Sequence, residues 1–205
     1  MKIMGATLIA AMVGTTVWAG PIPAAERQVT VCMSQTGNLG LENQAKVVAS
    51  DIYAAIGVKI LWRDPRQCPA EGILVTFSNE TPALLLPGAL AYAMPFDGAH
   101  IVVFYDRVKN RPGSVSCLLG HVIAHEVAHI LQGLIRHSES GIMKAQWTGA
   151  DYQQMTWKPL QFTDEDVMLI YGGLKVSEAS RRSSSGGPPT WVMSTSGSPS
   201  PSISA

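Results

Sequence analysis

The stretch from Ser114 to Gly133 constrains this chain more than any other. Pro112-Gly113 interrupt what precedes it, and Ser114 is a residue type whose side-chain oxygen caps a helix. Val115, Leu118, Ile123, Val127 and Leu131 then recur at helical spacing until Gly133, a natural stop. A long helix with so apolar a face needs a core to bury it. The composition supplies one: 46% of the 205 residues are hydrophobic and only 15% charged, which predicts one ordinary domain. The 15 basic and 15 acidic side chains cancel. A chain without a net field is not drawn to nucleic acid or to an anionic membrane, so the expected partner is a small neutral molecule or a peptide.

Both ends are expected to lie outside that domain. Residues 1–25 read as a signal peptide. Lys2 opens an apolar run from Ile3 to Val17, too short to span a bilayer and interrupted by Gly5, Gly14, Thr15 and Thr16. Val17-Trp18-Ala19 offers the small residue an export peptidase needs, and a second cut is possible near Ala24 or Ala25. The expectation is an exported monomer, periplasmic or extracellular, with no stable membrane span once the signal is removed. From Arg181 to Ala205 the chain is rich in Ser, Pro and Gly and is expected to be disordered. The folded body is then 28–174. Three cysteines, Cys32, Cys68 and Cys117, predict one disulfide and one buried thiol; three pairings are open and spacing does not choose among them.

Within the body, strands are expected over 28–33, 59–63, 73–77, 89–94 and 100–105, with 73–77 and 100–105 apolar enough to be central. Leu41, Ala45, Val48, Ala49, Ile52 and Ile56 recur as on a helix that Gly57 closes. After the long helix comes a mostly irregular segment. Thr163-Asp164-Glu165-Asp166 is a capping-box variant that opens a last helix, Val167 to Tyr171, ended by Gly172-Gly173. This order of elements predicts an α+β fold.

The long helix carries His125-Glu126-Val127-Ala128-His129. At 3.6 residues per turn, positions four apart lie nearly above one another, so both imidazoles leave the same face and can bind one zinc ion. Glu126 is rotated roughly 100° from His125, where it can hold a water at the metal and take its proton. Chance supplies such a five-residue match in about one in two hundred chains of this composition, and two ligands do not complete a site. The next residues offer the third. Gly133 lets the backbone turn sharply, His137 and Ser138 follow, and Met143 closes Gly141-Ile142-Met143, placed to form a turn beneath the metal.

Through these residues the chain resembles the matrixin-like metzincins. Leu90-Ala91-Tyr92-Ala93 looks like the edge strand that pairs with an extended substrate in that family. Gly98-Ala99-His100-Ile101 resembles the start of its next strand. Phe162 to Gly172 is similar to its last helix, where an aspartate braces the Met-turn, a role open here to Asp164 or Asp166. The resemblance implies a metzincin-like fold: a mixed, mostly parallel five-stranded twisted sheet with an antiparallel edge strand, two long helices and a C-terminal helix. It implies His125, His129 and His137 as metal ligands, Glu126 as the catalytic base, Met143 as the Met-turn, and Leu90 and Ala91 as the substrate-backbone contacts. The chain departs from the family pattern in spacing, because Gly133 is four and His137 eight residues after His129. Of the family's second, structural zinc site only His100 has a counterpart, and Tyr92 stands where an edge-strand histidine would be, so one Zn2+ is expected.

Other candidates have plainer readings beside functional ones. His121, one turn before His125, is expected to pack or to support a ligand. His100 is expected to be a satisfied strand histidine and Cys117 a core residue. Tyr152 is expected to pack, with an oxyanion role as the alternative, and Trp147 and Trp157 either wall a pocket or cover the base of the site. The activity expected is that of a zinc metalloendopeptidase acting on a peptide or protein substrate. The alternatives are a zinc-holding module that binds peptides without cutting them and an inactive scaffold. Glu126 weighs against both, since a structural metal has no use for a base.

Overall fold

In the computed structural model of the chain, residues 27–81, 88–94 and 99–185 are described. The expected signal peptide and residues 186–205 of the expected tail lie outside them. The elements are β1 (Arg27–Met33), α1 (Leu39–Ala54), β2 (Val58–Arg63), β3 (Ile73–Ser78), β4 (Ala91–Met94), β5 (His100–Phe104), α2 (Tyr105–Lys109), α3 (Val115–Gln132), α4 (Gly149–Trp157) and α5 (Asp164–Ser185). The fold is α+β. Its five strands lie in the order β2-β1-β3-β5-β4, parallel throughout except for the antiparallel β4–β5 pair at one edge.

The apolar pattern decides which strands are inner. Ile73 and Val75 of β3 and Ile101 and Val103 of β5 are buried, and these two strands are the third and fourth of the five. Helix α1 starts where the Asn38 side chain accepts from the Leu41 N–H, and buried Glu42 gathers the Thr36 hydroxyl and the Gly37 N–H in the preceding turn. Its apolar face packs on α3, and the fully buried Tyr53 donates to the Ala124 carbonyl at 3.0 Å. Of the three possible cysteine pairings the fold makes Cys32–Cys68, tying β1 to the segment after β2. Cys117 stays free and is half-buried, not a core residue.

Three local expectations are corrected. The segment after Met143 is not mostly irregular: Thr148 and Asp151 form a reciprocal capping box that opens α4. Tyr105 begins the short α2 and does not end a strand. Finally, Gly172-Gly173 does not close the last helix, because α5 continues through both to Ser185, past the point where the disordered tail was expected to start. A Cβ at Gly173 would lie 1.6 Å from the Leu131 carbonyl oxygen. The glycine is there so that α5 can cross the end of α3 at backbone contact. Among the described residues, no helix is long and apolar enough to cross a membrane.

Candidate metal centre

Helix α3 opens with the Ser114 hydroxyl accepting from the Cys117 N–H and ends at Gly133, whose φ of 62° is left-handed and whose N–H bonds the His129 carbonyl at 3.0 Å. It is the most deeply buried helix of the fold, closed in by α1, α5 and the sheet. His125, Glu126 and His129 each keep only 8% of their surface exposed.

The two helical imidazoles are set by backbone carbonyls. Nδ1 of His125 lies 2.8 Å from the Ile142 carbonyl oxygen, and Nδ1 of His129 lies 3.0 Å from that of Leu134. A carbonyl only accepts, so each Nδ1 carries the proton and each Nε2 is a lone pair. Those two Nε2 atoms face each other at 3.0 Å. Moving a proton onto either Nε2 would point a bare Nδ1 at a carbonyl, which only relocates the repulsion. Protonating a ring fully is opposed by burial, which together with the neighbouring His129 holds His125 down at about 3; burial lowers His129 as well. A cation between the Nε2 atoms removes the conflict, and tetrahedral ligands at Zn–N distances of roughly 2.0–2.1 Å stand only a little farther apart than these do. The donor set fits zinc.

His137 completes the cluster despite the longer spacing. One nitrogen from each of His125, His129 and His137 lies within 4.8 Å of the other two. The His137 ring is exposed and sits 5.0 Å from the His129 ring and 5.4 Å from that of His125. Its neighbours hold it. Arg136 Nη1 and the Ser138 hydroxyl both donate to Asp166 Oδ1, at 2.8 and 2.7 Å, and Arg136 also pairs with Glu165. Asp166 is fully buried, and its other oxygen accepts from the Thr163 N–H and hydroxyl at the start of α5. Burial pushes this carboxyl up, but hydrogen bonds from Ser138, Thr163 and Arg136 outweigh that and hold it below the usual range. The Ser138 N–H reaches the carbonyl of Met143, which is itself fully buried. Of the two aspartates offered for bracing this turn, Asp166 is the one engaged. Arg136 was not foreseen: its partners lie about thirty residues on, and nothing local to it signals them.

The imidazoles open into a cavity of about 620 Å³ whose wall includes β4 residues, Glu126, Trp147 and Tyr152. Burial alone pushes the Glu126 carboxyl up from its ordinary 4.5 to about 8. Strand β4 is the sheet edge, and its register decides which backbone groups are free. The Phe104 N–H donates to the Leu90 carbonyl at 2.8 Å, so Leu90 pairs inward, as Tyr92 and Met94 do by alternation. Ala91 and Ala93 turn their N–H and C=O groups to the outer edge. Leu90 is therefore committed to the sheet, and Ala91 and Ala93 are the β4 residues whose backbone groups face outward.

The remaining candidates resolve individually. His121 is fully buried, with Nδ1 on the Cys117 carbonyl at 2.7 Å and Nε2 accepting from the Leu160 N–H at 3.1 Å, so both nitrogens are occupied. His100 Nε2 is 2.7 Å from the Thr76 hydroxyl. Trp147 sets its ring edge-on to His121 and His125 and donates to the Ile142 carbonyl, the same oxygen that orients His125. Trp157 is 89% exposed and neither walls the cavity nor covers its base. Compared with models of known protein families and with curated proteins, the chain finds no match.

Proposed function

We propose that the chain is an exported zinc endopeptidase of the matrixin-like metzincin type, with His125, His129 and His137 holding the metal and Glu126 acting as base. The reading is carried by one observation: two buried imidazoles have their Nε2 lone pairs aimed at each other at 3.0 Å while backbone carbonyls fix both tautomers. Bound zinc would supply Lewis acidity, polarising the scissile carbonyl and bringing the acidity of water toward neutral pH. Glu126, brought into its ionised form by the adjacent positive charge, would take the proton of the attacking water on a carboxylate oxygen and deliver it to the leaving nitrogen. The backbone of a substrate would pair with the outward groups of Ala91 and Ala93, which read an extended chain and not its sequence. Trp147 and Tyr152 would exclude water from the reacting bond. The Cys32–Cys68 disulfide supports an oxidising compartment and so supports export.

Zinc stoichiometry and proteolysis, measured together, test the proposal. The wild type should hold one zinc per chain and cleave casein. Glu126→Ala should keep the zinc and lose activity by roughly 10²–10⁴-fold, and His137→Ala should lose most of the zinc. A zinc-loaded wild type that cleaves neither casein nor a peptide library, and is indistinguishable from Glu126→Ala, ends the peptidase reading.

A further inference from the structure

The cavity wall contains two cationic side chains in opposite electrostatic situations. Lys144 lines the wall, but its Nζ lies 2.6 Å from Asp151 Oδ2, so its charge is neutralised by the protein's own carboxylate. Arg111 has no acidic partner among the described residues. Its side chain makes one hydrogen bond there, from Nη2 to the Gly88 carbonyl at a long 3.4 Å. A guanidinium carries five N–H donors in a rigid fork shaped to donate two of them to a carboxylate, and toward the described residues this fork is almost unused.

Its position along the edge strand gives the missing carboxylate an address. Gly88 stands three residues before Ala91, at most about 11 Å of extended chain. A peptide pairing with β4 in the more stable antiparallel sense runs its C-terminal part toward the start of that strand. The C-terminal part therefore approaches Gly88 and the guanidinium beside it.

We propose that Arg111 is a specificity residue that binds a carboxylate carried toward the C-terminal end of the bound peptide. That carboxylate is either the free α-carboxylate of a short substrate or an Asp or Glu side chain. The inference rests on the peptide-cleft reading of this cavity. Neutrality of the whole chain hides it, because the opposite charge is not on the protein but on its ligand.

The test uses three peptides of otherwise identical neutral sequence: one with a free C-terminus, one amidated with a Glu near that end, and one amidated with no carboxylate. Each is labelled at its N-terminus and its binding to the zinc-loaded full chain is read by fluorescence anisotropy in a Glu126→Gln background, so that binding is measured without turnover. Either carboxylate peptide should bind tenfold to about a hundredfold more tightly than the neutral one. The two carboxylate arms tell which source the fork prefers. Arg111→Gln should erase the difference, and Arg111→Lys, which keeps the charge but not the fork, should retain part of it. Equal binding of all three peptides overturns the proposal and needs no Arg111 variant to do so. A preference that survives in folded Arg111→Gln also overturns it, by placing the carboxylate elsewhere, on the metal included. Peptides that bind with the expected preference to a protein whose zinc-loaded wild type cuts neither them, nor casein, nor a peptide library would end the peptidase reading and leave Arg111 standing.

Discussion

Two of the three imidazoles stand on a helix and the third on a loop, and the chain secures them by different means. His125 and His129 are buried on α3, and each ring is itself hydrogen-bonded to a carbonyl. His137 is exposed, and it is the residues on either side of it that are anchored, through Arg136 and Ser138 to Asp166 at the head of α5. The helical half is rigid because burial and ring contacts leave it one arrangement. The loop half is positioned from a distance and can be weakened without disturbing the core.

The largest effect that separates the halves is on zinc itself. Each of His129→Ala and His137→Ala leaves two imidazoles, but only His137→Ala keeps the rigid helical pair, so His129→Ala should cost more zinc affinity, the two being ranked by calorimetric titration. Equal loss in both would mean that the halves are not distinct. Next comes Asp166→Asn, which loosens the loop without touching a ring and should lower zinc affinity by roughly 10–100-fold. Thr163→Ala is the milder variant: it removes the cap of α5, at a cost of about 1 kcal/mol in thermal or urea unfolding, and only one of the bonds to Asp166, so zinc affinity should fall by less than in Asp166→Asn.

A smaller effect lies in the pH dependence of the metal-free protein. Glu126 titrates higher in the fold, at about 8, than its ordinary 4.5, so the unfolded chain releases this proton first. The stability tied to the protonated carboxyl is complete below about 4.5 and is lost as pH rises through about 8. The histidines act oppositely, since burial lowers them and their contribution is lost as pH falls through their depressed values. Urea unfolding of wild type against Glu126→Gln isolates the carboxyl's contribution: their stability difference should shift toward the glutamine variant as pH rises from 5 to 8, and zinc should suppress that shift. The smallest effect is expected at Trp157, outside both halves, where Trp157→Ser should change stability by no more than about 0.5 kcal/mol.

Much of the fold and half of the site were legible in residue order. The caps at Ser114 and Thr163, the stop at Gly133 and the central character of β3 and β5 are local signals, and each element formed where they stood. The i and i+4 placement of His125 and His129 needs nothing beyond helical geometry. The misreadings share one cause, which is that the deciding neighbour is distant in sequence. Gly172-Gly173 reads as a terminator until Leu131 is seen against Gly173. Which β4 groups face outward is not legible until Phe104 takes the Leu90 carbonyl. The capping box at Thr148 is the exception, a local signal that was there to be read.

The sequence by itself determined the α+β class, the long helix and the pair of imidazoles on one of its faces, because capping and periodicity act within a few residues. Tertiary structure decided that His137 reaches the pair, which tautomer each helical imidazole adopts, which cysteines join and which β4 groups face outward. Each of those depends on a hydrogen bond or contact between segments that only packing brings together, and no periodicity records it.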